Sequence, residues 1–98
     1  MTIDKKTNGS ELIVALTGRL DTTTAPQLES ELRTSLTGIT ALCLDFAGLE
    51  YLSSAGLRVI LAAQKVMNRQ GSMVVKNVNE TIQEVFDITG FSDILTIE

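Results

Sequence analysis

The chain contains no histidine and only one cysteine. Without histidine, the commonest general base and the commonest transition-metal ligand are both missing, so any catalysis would fall to carboxylates alone. The lone thiol, Cys43, lies in the apolar run Ala41-Leu-Cys-Leu-Asp-Phe46 and has no second thiol or imidazole to work with, so a packed core thiol is expected. No apolar stretch approaches the roughly 20 residues that span a bilayer. The N-terminus Met-Thr-Ile-Asp-Lys-Lys also lacks the charged-then-apolar layout of a secretory signal. A cytoplasmic protein without membrane insertion is expected. Positive charge is scarce too: the net charge is −4 with signs interspersed, which leaves no basic stripe to track a phosphate backbone and argues against a nucleic-acid partner. A glycine-rich phosphate loop with its lysine is also missing, and no cofactor or metal is implied.

What is present fits one domain over residues 1–98, long enough for a single core and little else. Asn8-Gly9 between two extended runs, 2–7 and 11–17, predicts a β-hairpin. Thr24 and Gln27 have capping-box spacing, Pro26 suits a first helical turn, and Leu28, Leu32 and Leu36 repeat every four residues up to a stop at Gly38, which predicts a first helix. Ala41 to Phe46 reads as a buried strand, with Asp45 at its end bonding the neighbouring loop. A second helix follows from Ser53 or Ser54, with Leu57, Ile60, Leu61, Ala63, Val66 and Met67 on its apolar face and Gly71 as its stop. A strand over 73–78 comes next, then a third helix from Asn79 or Glu80 to Ile88 with Ile82, Val85 and Phe86 inward and Gly90 closing it, and a short last strand over 94–97. Met67, Met73 and Tyr51 are expected to pack in the core. An initial hairpin followed by alternating helices and strands implies an α/β fold, a mixed sheet covered by about three helices.

The stretch Glu50-Tyr-Leu-Ser-Ser-Ala-Gly-Leu-Arg-Val-Ile-Leu61 stands out. In an open α/β sheet, functional loops gather where strands end and helices begin, which brings Gly18 to Thr24 and Glu50 to Gly56 to one edge. Ser53 and Ser54 fall where a helix has unpaired amides and the positive end of its dipole, a place that favours an added negative group. One serine suffices for a cap, so the other is spare. Gly56 just inside the helix costs about 1 kcal/mol relative to alanine and implies the close approach of another surface.

Gly18-Arg-Leu-Asp21 with Thr23, Thr24 and Ala25, Leu42-Cys-Leu-Asp45, Tyr51-Leu-Ser-Ser-Ala-Gly-Leu-Arg58 and Ile88-Thr-Gly-Phe91 together resemble the STAS domains shared by sulfate transporters and anti-sigma factor antagonists. The resemblance implies a switch between partners. The unphosphorylated protein would bind an anti-sigma factor that is also a serine kinase and so free a sigma factor. Phosphorylation would end the binding, and a serine phosphatase would reverse it. The phosphorylated serine of the family lies two residues before the glycine, which is Ser54 here. The preceding position, aspartate in many members, is Ser53, a second candidate acceptor. The acidic loop matching Asp21, Thr22 and Thr23 borders the same docking surface as Ser53, Ser54, Ala55, Gly56, Leu57 and Arg58. Arg58, one turn beyond Ser54, is placed to pair with a phosphate. Many members continue into a further helix where this sequence ends at Glu98, which implies an open face suited to a homodimer.

Two other classes of function compete. Some small members of the family are constitutive accessory subunits that dock on a transporter ATPase or another enzyme without phosphorylation. An enzyme ranks third, because the residues assemble no nucleophile, base and orienting group; only a cleft joining Asp21, Asp45 and Glu50 would revive it.

Overall fold

The computed structural model describes all 98 residues. Strand β1 (Thr2–Asn8) and strand β2 (Glu11–Leu20) form an antiparallel hairpin. Asn8 pairs with Glu11, so the connecting loop is Gly9-Ser10, with Gly9 at φ +64° in the position where a two-residue turn favours glycine. After β2 come helix α1 (Ala25–Ser35), strand β3 (Ala41–Leu52), helix α2 (Ser54–Gln70), strand β4 (Ser72–Lys76) and helix α3 (Glu80–Thr89), with a 3₁₀ turn at Phe91–Asp93. The sheet order is β1-β2-β3-β4, with β2, β3 and β4 parallel to one another. This is the mixed sheet with helical crossovers that the sequence predicts.

One face of the sheet carries the core. Leu12, Val14 and Leu16 of β2, Leu42, Leu44 and Phe46 of β3, and Met73 and Val75 of β4 are buried beneath the helices. The helices contribute Leu28 and Leu32, then Leu57, Val59, Ile60, Ala63 and Met67, then Ile82 and Phe86. Helix α3 stops at Gly90, whose left-handed conformation (φ +80°) suits a residue without a β-carbon.

Several local expectations need correction. Strand β3 runs on past Phe46 to Leu52, because the β2–β3 register slips twice and leaves extra residues on β3. The buried residues there fall at Phe46, Leu49 and Leu52, a spacing of three that conceals a strand from any search for alternation. Asp45 is therefore inside a strand rather than at its end. Its Oδ1 accepts from the Ala47 amide beside the first irregularity and from Asn77 Nδ2, both at 2.9 Å. These two hydrogen bonds, Asn77's first, hold its carboxyl below the usual range.

The predicted last strand shrinks to a single bridge between Val75 and Ile97. Thr24 caps α1 without a side-chain bond to the helix, since its hydroxyl is turned to the preceding loop. Val66 is exposed, and Val59 takes the inward place. Cys43 lies half-buried on the sheet face opposite the helices instead of in the core. Burial raises its thiol pKa, which disfavours the reactive thiolate.

Candidate functional site

The two loops singled out in the sequence are neighbours. Strands β2 and β3 are paired through Arg19↔Tyr51 and Leu20↔Leu52, and the Ser53 amide donates to the Leu20 carbonyl at 2.9 Å, so parallel pairing reaches the point where α2 begins.

Beyond Leu20 the chain folds around Asp21. Its Oδ1 accepts from the Thr23 hydroxyl at 2.7 Å, the Thr23 amide at 3.0 Å and the Thr24 amide at 3.1 Å. The Thr24 hydroxyl donates to the Arg19 carbonyl at 2.7 Å and accepts from the Asp21 amide at 2.9 Å. A run of small polar residues thus closes on itself, as Asp and Thr side chains do in turns. The Thr23 hydroxyl is the foremost cause that lowers the Asp21 pKa, with the two amides adding to it, so the loop carries a fixed negative charge at neutral pH. Thr22 and Thr23 are exposed beside it.

At the start of α2 the two serines divide their roles. Ser53 is the N-cap, with extended backbone, and its Oγ accepts from the Gly56 amide at 3.4 Å, a long bond. Ser54 is the first residue of the helix, exposed and outside every side-chain hydrogen bond of the chain. Its hydroxyl therefore stands free in the first turn, where amide groups are unpaired and the helix dipole is positive. No acidic residue occupies that turn. Ala55 is half-buried, and Arg58 is exposed four residues on, with no ion-pair partner.

Gly56 and Leu57, grouped in the sequence with the docking residues, are buried. The surface that approaches Gly56 belongs to the chain itself: a β-carbon there would lie 2.7 Å from Leu20 Cγ and 2.8 Å from Leu52 Cδ1. Glycine lets α2 settle onto the ends of β2 and β3, and so positions Ser54 from below. The structure brings Asp21, Thr22, Thr23, Ser53, Ser54, Ala55 and Arg58 to one edge of the molecule, and leaves Gly56 and Leu57 as their support.

Two further residues belong to this edge. The Arg19 guanidinium stacks 4.2 Å from the centre of the Tyr51 ring, and its Nε is 3.8 Å from Asp21 Oδ2. Tyr51 is thus 41% exposed, contrary to its expected place in the core. The pairing of a cation with the sole tyrosine follows from the β2–β3 register, which only the extension of β3 reveals. Two surface depressions lie between α1 and α2 and on the open face of the sheet, and neither is lined by Asp21, Asp45 or Glu50. This edge is a surface rather than a cleft, and the Ser54 hydroxyl stands exposed on it.

Known proteins share this fold. The model of the STAS domain matches residues 2–98. The chain is 31% identical over 96 residues to an anti-sigma-B factor antagonist of Bacillus subtilis, covering 97% of this chain and 88% of that protein. It is 30% identical over 89 residues to an anti-sigma F factor antagonist of Paenibacillus polymyxa, covering 88% and 76%. Among solved structures, an anti-sigma factor antagonist from Mycobacterium paratuberculosis superposes with a TM-score of 0.89 at 22% identity, over 98% of this chain and 83% of that one.

Proposed function

The chain belongs to the STAS domain family, and from that membership we propose that it is a partner-switching protein of the anti-sigma factor antagonist kind. In its unphosphorylated form it binds an anti-sigma factor that is also a serine kinase, and a sigma factor is released. The kinase phosphorylates Ser54, and the complex then dissociates until a serine phosphatase restores the hydroxyl.

The observation that carries this reading is the free Ser54 hydroxyl on the first residue of α2, next to Ser53, which already supplies the cap. A kinase can reach it without unfolding any part of the chain. A phosphate there adds about −1.5 to −2 charges at a helix end that accommodates anions, so the fold tolerates the modification. The partner's surface, shaped to a small hydroxyl, does not: desolvation and repulsion of the new charge weaken the complex. A penalty of roughly 3 kcal/mol lowers affinity more than a hundredfold. Asp21, Thr22, Thr23, Ala55 and the Arg19–Tyr51 pair supply the remaining contacts, and no catalytic step is assigned to this chain.

The test uses a purified serine-kinase anti-sigma factor as the partner. Labelled ATP should mark the wild type and Ser53→Ala but not Ser54→Ala. By titration calorimetry, Ser54→Ala should bind as the wild type does and Ser54→Asp at least a hundredfold more weakly. Equal binding by both variants would overturn the switch in favour of a constitutive docking subunit.

A further inference from the structure

We propose that the sheet face opposite the helices is the interface of a homodimer, in which two copies pack face to face about a two-fold axis parallel to the strands. The proposal is independent of the switch at Ser54, since it uses the other surface of the sheet. The residues on this face can be read from the strand register. One row across the sheet is Lys6, Ile13, Cys43 and Val74, with Ile13, Cys43 and Val74 half-buried. The adjacent row is Asp4, Ala15, Asp45 and Lys76. No helix covers these positions, because α1, α2 and α3 all pack on the alternate residues.

The charges on the two rows discriminate between ways of closing the pair. An axis parallel to the strands reverses each row over itself. Asp4 then faces Lys76 of the second copy twice over, Ile13 faces Cys43, and Ala15 faces Asp45. An axis across the strands lays Lys6 over Lys6 when it runs along the first row and Asp4 over Asp4 when it runs along the second, which like charge disfavours; midway between the rows it sets Lys6 over Asp4 but presses Asp45 onto Cys43 and Lys76 onto Val74. The first arrangement joins Ile13 to Cys43 at the centre and leaves the opposite charges of Asp4 and Lys76 at two corners, as a self-complementary two-fold patch requires. Lys76 is free to take part: in the single chain it reaches only Glu98, at 3.8 Å, and it is 49% exposed. Its long side chain spans the offset that two twisted sheets introduce at their corners. With strands about 4.8 Å apart the face offers roughly 400 Å² per copy. That is below the area of permanent dimers and places the association in the weak, reversible range.

Sedimentation equilibrium on the full chain, from about 10 μM to 1 mM, measures the association. A monomer–dimer equilibrium is expected, and Val74→Asp should weaken it at least tenfold. Asp4→Lys alone and Lys76→Asp alone should each weaken it about tenfold, because each sets like charges face to face at two corners. The double variant Asp4→Lys/Lys76→Asp should return to within about threefold of the wild type. All three substituted positions are exposed or half-exposed, and circular dichroism checks that each of the four variants is folded. A chain that stays monomeric to 1 mM would assign the face to a different partner and overturn the proposal. So would a dimer indifferent to the single substitutions, or a double variant that does not recover.

Discussion

The backbone of Gly56 lies against the Leu20 side chain so closely that a β-carbon on Gly56 would sit 2.7 Å from Leu20 Cγ. Leu20 is fully buried and Leu52 nearly so, so a shift of either would disturb the core around it. Alanine in a helix is ordinarily about 1 kcal/mol better than glycine, so propensity alone forecasts a gain. Packing reverses the sign. Gly56→Ala should lose about 1–3 kcal/mol, as overfilled cores do. Thermal unfolding should show a melting temperature lower by more than about 5 °C. A rise would mean that α2 is not held down at this point.

The two serines should separate in the same assay. Ser53→Ala removes the cap and should cost about 0.5–1 kcal/mol, near the low end for caps because the bond is long. Ser54→Ala touches no hydrogen bond and should change stability by less than about 0.5 kcal/mol.

Ser54→Asp should make the isolated chain more stable while it weakens the partner complex. A carboxylate in the empty first turn of α2 meets the positive end of the dipole, worth about 0.3–1 kcal/mol at low salt. Arg58, four residues on, adds an ion pair of about 0.3–0.5 kcal/mol. Chemical denaturation in low and high salt measures the gain, which should shrink as salt rises and shrink further with Arg58→Ala.

Asp21, Asp45 and Asp87 all have pKa values lowered by hydrogen bonds, chiefly from the Thr23 hydroxyl, the Asn77 amide and the Ser92 hydroxyl respectively. A carboxyl whose folded pKa lies below its unfolded value stabilises above the unfolded pKa, near about 4, and loses that contribution as pH falls through the folded value. The urea midpoint of the wild type should therefore be flat from neutral pH down to about 5 and decline below about 4. Asp45→Asn should lower the midpoint at pH 7, and its curve should approach that of the wild type in strong acid. A deficit that persists unchanged into strong acid would remove the charge from the account.

Gln64 is buried on α2, where its Nε2 donates to Asn68 at 2.8 Å and its Oε1 has no partner. A buried acceptor left without a donor costs about 1–3 kcal/mol, whereas an apolar side chain of similar size costs nothing of that kind. Gln64→Leu should raise the melting temperature by several degrees, measured by calorimetry.

Much of the architecture was legible in the sequence because its elements obey simple periods. Leu28 and Leu32 repeat along α1, Gly90 ends α3 as forecast, and the alternate residues of β2 and β4 fill the core. Helix-capping chemistry also identified Ser53 and Ser54. The rest depended on tertiary geometry. The double irregularity of β3 turns a period of two into a spacing of three, and so hides the strand's second half. With it went the exposure of Tyr51 and its contact with Arg19. Gly56 was rightly read as a place of close approach, but residue type alone does not distinguish a visiting surface from the chain's own Leu20. The 94–97 segment has the composition of a strand and too little length to build more than one bridge.

Both margins of the sheet are blunted. At one side β1 carries Asp4, Lys5 and Lys6 in a row, and at the other Val75 exchanges backbone bonds with Thr96 and Glu98, at 2.9 and 2.8 Å. Charged margins and occupied amides discourage further strands from adding end on end. Copies of this small domain can therefore meet through the face of the sheet without growing into ribbons along its edges.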